Sequence, residues 1–125
     1  MSEAWPQGIF SAPLIKALAR TGAVASGKKF DPDQVQPASL DLRLGEKALR
    51  VRSSFLPGPE KSVAERVVNL KLHEIDLTKG AVLERGCVYI VPLLESLDLP
   101  KEVAAAANPK SSTGRLDIFT RIMAD

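Results

Sequence analysis

Eight glycines and nine prolines punctuate the 125 residues of this chain. They set where its elements begin and end, because proline brings no N–H to a ladder or helix interior and glycine tolerates turns that other residues resist. No internal repeat or low-complexity tract relieves the pattern. Only six residues are aromatic, Phe 4, Trp 1 and Tyr 1. The core therefore falls to Leu, Val, Ile and Ala, and base stacking is a poor basis for any partner. With 45% hydrophobic and 26% charged residues, the composition is that of one soluble domain spanning residues 1–125.

Seventeen Lys and Arg against fifteen Asp and Glu leave a net charge of +2. That is too little for a protein living on phosphate-backbone contacts, and no charged tail or block stands out, so no nucleic-acid partner is expected. Cys87 and His73 are the only cysteine and histidine, which excludes an intrachain disulfide and a Cys/His zinc site within one chain. The longest apolar stretch, Tyr89 to Leu94, is far short of the roughly 20 residues of a membrane span, and no secretory leader pattern opens the sequence. A cytoplasmic location with no membrane partner is the expectation.

Ser11 is placed to cap a helix with Pro13 in its first turn and Leu14, Ile15 and Leu18 on one face, ending near Gly22. Gly27 to Gln36 is polar, with a turn at Asp31-Pro32. From Ser39 the period becomes two: Leu40, Leu42 and Leu44 alternate with Ser39, Asp41 and Arg43, which predicts a half-buried strand ending at Gly45. Lys47 to Phe55 reads as a second strand and Leu56-Pro57-Gly58-Pro59 as a loop. Val63 to Leu70 suits helix or strand and is read as one or two helical turns followed by extended chain. Ala81–Glu84 and Cys87–Leu94 about a turn at Arg85-Gly86 predict a hairpin, and a second break falls near Leu99-Pro100. Leu116 to Met123 reads as extended chain. It stops at Asp125 with no turn or polar tail following, so the sequence is expected to be part of a longer chain.

Two segments carry candidate chemistry. In Pro109 to Arg115 two adjacent hydroxyls, a turn at Gly114 and cations at Lys110 and Arg115 could meet phosphate or carbonyl groups, helped by free N–H groups if Ser111 opens a helical turn. The plainer account makes Ser111 an N-cap and the cations solvated. A nucleotide-binding P-loop is excluded, since Pro109 and Ala104 stand where its glycines belong. In Gln36-Pro37-Ala38-Ser39-Leu40-Asp41-Leu42-Arg43-Leu44-Gly45, Asp41 and Arg43 lie on the polar face of the strand and invite a cross-strand or intersubunit ion pair and nothing more. His73-Glu74 lacks the partners of a metal motif, and Cys87 reads as a small buried hydrophobe.

The second of these segments precedes Lys110-Ser111-Ser112-Thr113-Gly114-Arg115 by about seventy residues, with the short helix before it and Leu97-Asp98-Leu99-Pro100 between. In that order and spacing the chain resembles the dCTP deaminase branch of the dCTP deaminase/dUTPase superfamily over most of residues 8–125. The resemblance implies a mainly β fold, a distorted jelly-roll or β-clip barrel of the dUTPase type with a short N-terminal helix, incomplete at its C-terminal side. It implies a homotrimer with active sites at subunit interfaces. It further implies zinc-independent hydrolysis of dCTP to dUTP and ammonia in pyrimidine deoxynucleotide synthesis, with the triphosphate carried as its magnesium (Mg2+) complex. Its signature falls on Lys110, Ser111, Ser112 and Arg115, with Thr113 and Gly114 completing the nucleotide-binding turn. By resemblance Ser111 positions the attacking water, Ser112 and Lys110 meet the phosphates, Arg115 orders and neutralises the site, and a backbone carbonyl near Ala124 contributes. Lys110 stands where the family often has Arg, keeping the charge without the bidentate fork. The general-base glutamate of the family lies beyond Asp125; neither Asp117 nor Asp125 matches it, so no base is assigned and the chain alone is expected to be inactive. The alternatives are a dUTPase, an enzyme performing both reactions, and a catalytically silent domain that binds dCTP, dUTP or dTTP-type nucleotides or assembles subunits.

Overall fold

The computed structural model describes residues 4–124. In chain order the elements are α1 (Ala12–Thr21), β1 (Val24–Ser26), β2 (Lys47–Val51), α2 (Val63–Leu70), β3 (Lys71–Asp76), β4 (Val88–Ile90), β5 (Glu95–Leu97) and α3 (Ser111–Gly114). They gather into two compact units, one holding the chain up to Glu46 with Val91–Ala104, the other Lys47–Ile90 with the chain from Ala105 onward.

In the first unit α1 forms as its sequence predicts. Pro13 sits in the first turn, where no N–H is needed, and Ser11 occupies the N-cap through its backbone: its carbonyl accepts from Leu14 and Ile15 at 3.0 Å each, while its hydroxyl caps nothing. Gly22 ends the helix in the left-handed region at φ 85°, a conformation that costs glycine little. The helix buries Ile15 and Leu18, and Leu18 joins Ala23 and Val24 in a core sheathed by Trp5, Phe10, Phe30, Leu40, Leu99 and Val103. β1 pairs antiparallel with β5, Val24 opposite Leu97 and Ser26 opposite Glu95.

The strand predicted over Ser39–Gly45 does not form a ladder. It makes two isolated bridges, Leu40 to Val35 and Leu44 to Leu93, and Leu44 is exposed rather than sharing a buried face with Leu40 and Leu42. The local pairing explains this: Gln36 N–H donates to the Ser39 carbonyl and Asp41 N–H to that of Gln34, both at 2.9 Å, closing a tight reversal about Pro37-Ala38. Beyond it, Leu94 N–H meets the Arg43 carbonyl at 3.0 Å and Gly45 N–H that of Pro92 at 2.7 Å. A Cβ on Gly45 would lie 2.5 Å from the Pro92 oxygen, so only glycine permits this approach.

In the second unit β2 is the centre of a three-stranded antiparallel sheet, ordered β3-β2-β4. Ala48 and Val51 are its buried positions, and Val67 of α2 is the third buried hydrophobic residue of this unit. A register shift between Arg50 and Val51 marks a bulge opposite β3. α2 carries a capping box: Glu65 N–H donates to Ser62 Oγ at 3.2 Å and Ser62 N–H to Glu65 Oε2 at 3.1 Å. That Ser-x-x-Glu signal decides for helix where hydrophobic spacing was ambiguous.

The predicted hairpin is corrected. Its turn exists, with Gly86 at φ 77°, but Ala81–Glu84 is not a strand and β4 pairs with β2 instead. Glu84 explains why: its N–H, which a ladder would use, donates to the Tyr89 hydroxyl at 2.9 Å, and its carboxylate meets Arg50 Nη1 at 3.3 Å. Leu116–Met123 forms no strand either. The fold is thus a set of small antiparallel sheets with three helices. The expected barrel does not close among the described residues, because the sheets have two and three strands and their edge strands remain unpaired. No described helix is long and apolar enough to cross a membrane.

Candidate functional site

The segment Lys110–Arg115 folds as one exposed helical turn. Lys110, with extended φ −73° and ψ 134°, holds the N-cap position, so Ser111 opens the helix instead of capping it. The Lys110 carbonyl accepts from Thr113 N–H at 3.1 Å and Gly114 N–H at 3.2 Å, and the Ser111 carbonyl accepts from Arg115 N–H at 3.0 Å. That last bond sets Ser111 and Arg115 one turn apart on the same side of the helix. Both are exposed, as are Lys110, Ser112 and Gly114, while Thr113 is half-buried. Two hydroxyls and two cations therefore face solvent on a single short turn, clear of any hydrophobic core.

After this turn the chain reverses sharply. Asp117 adopts φ 60°, the left-handed region that Asp enters more readily than most residues. Its N–H donates to the Gly114 carbonyl at 3.0 Å and Ile118 N–H reaches the Thr113 carbonyl at 3.4 Å, the bond pattern of a Schellman helix end. With aspartate rather than glycine at the reversal, no sequence signal announces it. Ala124 is exposed.

The Gln36–Gly45 segment serves a different purpose. Glu95 on β5 has no exposed side-chain surface, and its Oε1 accepts from Gln34 Nε2 at 2.7 Å, Arg43 N–H at 2.9 Å and Arg43 Nε at 3.3 Å. The guanidinium continues outward, Nη1 to the Lys29 carbonyl at 2.9 Å and to Asp31 Oδ2 at 3.5 Å, Nη2 to Ser26 Oγ at 3.0 Å and the Lys28 carbonyl at 3.2 Å. Arg43 thus ties β5 to the Ser26–Asp31 loop. An ion pair for Arg43 was legible; its partner was not, since Glu95 follows an apolar stretch and nothing in the sequence marks it as buried.

His73 is exposed on β3 and Cys87 is half-buried, its thiol 3.7 Å from Glu84 Oε2. On the same sheet, the hydrogen bond and charge of Lys71, with Lys47 behind it, hold the Glu74 carboxyl below the usual carboxylate range. Asp76 is likewise held low, by hydrogen bonds from the Thr78 hydroxyl at 2.7 Å and N–H at 2.9 Å. These are local surface pairs, and among the described residues no three His, Cys, Asp or Glu side chains converge as a metal site would require.

Comparison with known proteins supplies what the geometry leaves open. The family model for the 2'-deoxycytidine 5'-triphosphate deaminase N-terminal domain matches residues 6–125. The chain belongs to this deaminase family. A crystal structure of 2'-deoxycytidine 5'-triphosphate deaminase from Agrobacterium tumefaciens superposes with a TM-score of 0.91 at 61% identity, covering 94% of this chain and 36% of that one. Among curated relatives, the dUMP-forming dCTP deaminase of Pseudarthrobacter chlorophenolicus is 30% identical over 91 residues, 73% of this chain and 47% of the relative. The dCTP deaminase of Halorubrum lacusprofundi is 33% identical over 87 residues, 68% of this chain and 42% of the relative. The chain spans about half the length of the curated relatives it matches. The likeness to the Agrobacterium protein places the small sheets of this chain in the dUTPase-like fold.

Proposed function

We propose that the protein deaminates dCTP hydrolytically to dUTP and ammonia, and that Lys110–Arg115 supplies part of the nucleotide site. The observation that carries this reading is the exposed turn on which Ser111 and Arg115 share a side, in a chain of the deaminase family. A hydroxyl at Ser111 can hold the attacking water by hydrogen bonding. The charge of Arg115 one turn away can neutralise the negative charge that builds as water adds to the ring. Ser112 and Lys110 lie at the start of the turn, suited to phosphate oxygens. The carbonyl of Ala124 is the proposed acceptor near the reacting ring. The general base is assigned to no residue of this chain, and Asp117, committed to the chain reversal, is not offered for it.

Magnesium belongs to this proposal as part of the substrate, bound to the triphosphate oxygens. Assembly as a homotrimer with sites at subunit interfaces is part of the same reading, supported by the open strand edges and the exposed apolar side chains of the second unit. A reaction continuing to dUMP is the second reading, favoured by the name of the Pseudarthrobacter relative.

The test is to incubate the full-length protein, general base included, with dCTP and magnesium and follow ammonia and pyrophosphate. Ammonia alone supports deamination, both products support the continuing reaction, and neither, with nucleotide still bound, refutes the enzyme. Ser111→Ala should abolish turnover with a modest loss of binding, and Arg115→Ala should damage both. Wild-type rates in either variant would remove the turn from the mechanism.

A further inference from the structure

Lys16 and Arg20 stand one turn apart on the exposed side of α1, above a cleft of about 300 Å3 within the first unit. Ile15 and Ala19 form its helical wall, Phe30 and Pro32 face them, and Val35 and Leu40 complete the lining. These walls are held in place. Val35 and Leu40 are bridged across the Pro37-Ala38 reversal, and the Phe30 ring lies under the Arg43 guanidinium at 5.9 Å. The one acid in the lining, Asp31, is turned to Arg43 at 3.5 Å, whereas neither Lys16 nor Arg20 is ion-paired among the described residues. The cleft is therefore apolar within and positive along one rim.

We propose that this cleft binds a small anionic ligand with a ring-sized apolar body, a carboxylate or phosphate monoester of an aromatic group. Its head lies between Lys16 and Arg20, and its body lies against Phe30, Val35 and Leu40. The volume is at the lower end of small-molecule sites, roughly 300–1,000 Å3, which suits one ring and its head. Charge complementarity selects the anion, and the apolar walls reject an anion without a body.

Methyl NMR of the intact protein, titrated with phenyl phosphate, phenylacetate, benzylamine and inorganic phosphate, tests this. Phenyl phosphate and phenylacetate should shift the Ile15, Val35 and Leu40 methyls saturably, with benzylamine and inorganic phosphate weaker there by about tenfold. Lys16→Gln with Arg20→Gln should remove the preference for the anions while leaving apolar contact, and Ala19→Leu should block all shifts by filling the cleft. The methyl spectrum outside the cleft reports whether each variant stays folded, and the glutamine pair, being exposed, serves if the leucine does not. Equal shifts from benzylamine, no saturable shift at these methyls, or anion preference surviving the glutamine pair overturns the proposal. Ser111→Ala should leave the shifts unchanged, so the outcome is independent of the deaminase reading.

Discussion

Three donors converge on Oε1 of Glu95, a carboxylate with no exposed surface, and two of the three come from Arg43. Removing the guanidinium leaves a buried charge with only Gln34 and one backbone N–H, the situation in which breaking a pair costs most. Arg43→Ala should lower stability by about 3–5 kcal/mol, read as a shift in the urea midpoint at constant slope. Glu95→Gln should cost less, because Arg43 is partly solvated and keeps its bonds to Ser26 and the Lys28 and Lys29 carbonyls; the reverse order would show that the guanidinium is not the keystone. Arg43→Lys should rescue little, since an ammonium cannot span the same fork of acceptors. A second residue-scale outcome follows from Gly45: alanine there meets a backbone oxygen at 2.5 Å. The variant should lose about 1–3 kcal/mol, as overpacking does, and an unchanged melting temperature would mean that the Pro92 backbone yields freely.

At the scale of elements, α2 depends on two residues outside its hydrophobic pattern. Ser62→Ala removes one arm of the capping box and should cost about 1 kcal/mol, with Ser62→Asp restoring most of it; helicity and melting temperature check both. β3 carries a pH dependence whose direction follows from Glu74 and Asp76. Both carboxyls are held below their ordinary range in the folded chain, so their contribution is complete above the unfolded pKa. It is lost as pH falls through the lowered folded values, on the acid side of the usual carboxylate range near about 4. Both groups are fully exposed and the effect is small. Carboxyl NMR should show Asp76 titrating higher in Thr78→Val, where the hydroxyl donor is gone; an unmoved titration would discard the hydroxyl as the cause. The same scale shows where the sequence could be read. α1, the turn at Asp31-Pro32 and the start of β2 carry proline, glycine or a clear period. The Ser39–Gly45 alternation misled because backbone bonds about Pro37-Ala38 took over the pairing, and Ala81–Glu84 because Glu84 is held by Tyr89 and Arg50 across the sheet.

Over the molecule as a whole, seven hydrophobic residues are buried among those described, four in the first unit and three in the second, while Leu116 and Phe119 beside the candidate site are 73% and 93% exposed. So much apolar surface next to a polar turn suits the interface that the proposed trimer calls for. Phe119→Asp should therefore weaken the proposed trimer, seen by sedimentation of the intact protein across a concentration series, whereas an undisturbed trimer would place this surface outside the contact. The linear order of residues was enough to define the two motifs, their family, the helix of Ala12–Thr21 and the turns at Asp31-Pro32 and Arg85-Gly86, because those depend on neighbours a few positions apart and on residue types that tolerate few conformations. Folding in three dimensions decided the rest. That Glu95 is buried under Arg43 and that β4 chooses β2 depend on which distant groups meet. Short-range patterns hold no record of a hydrogen bond made across sixty residues.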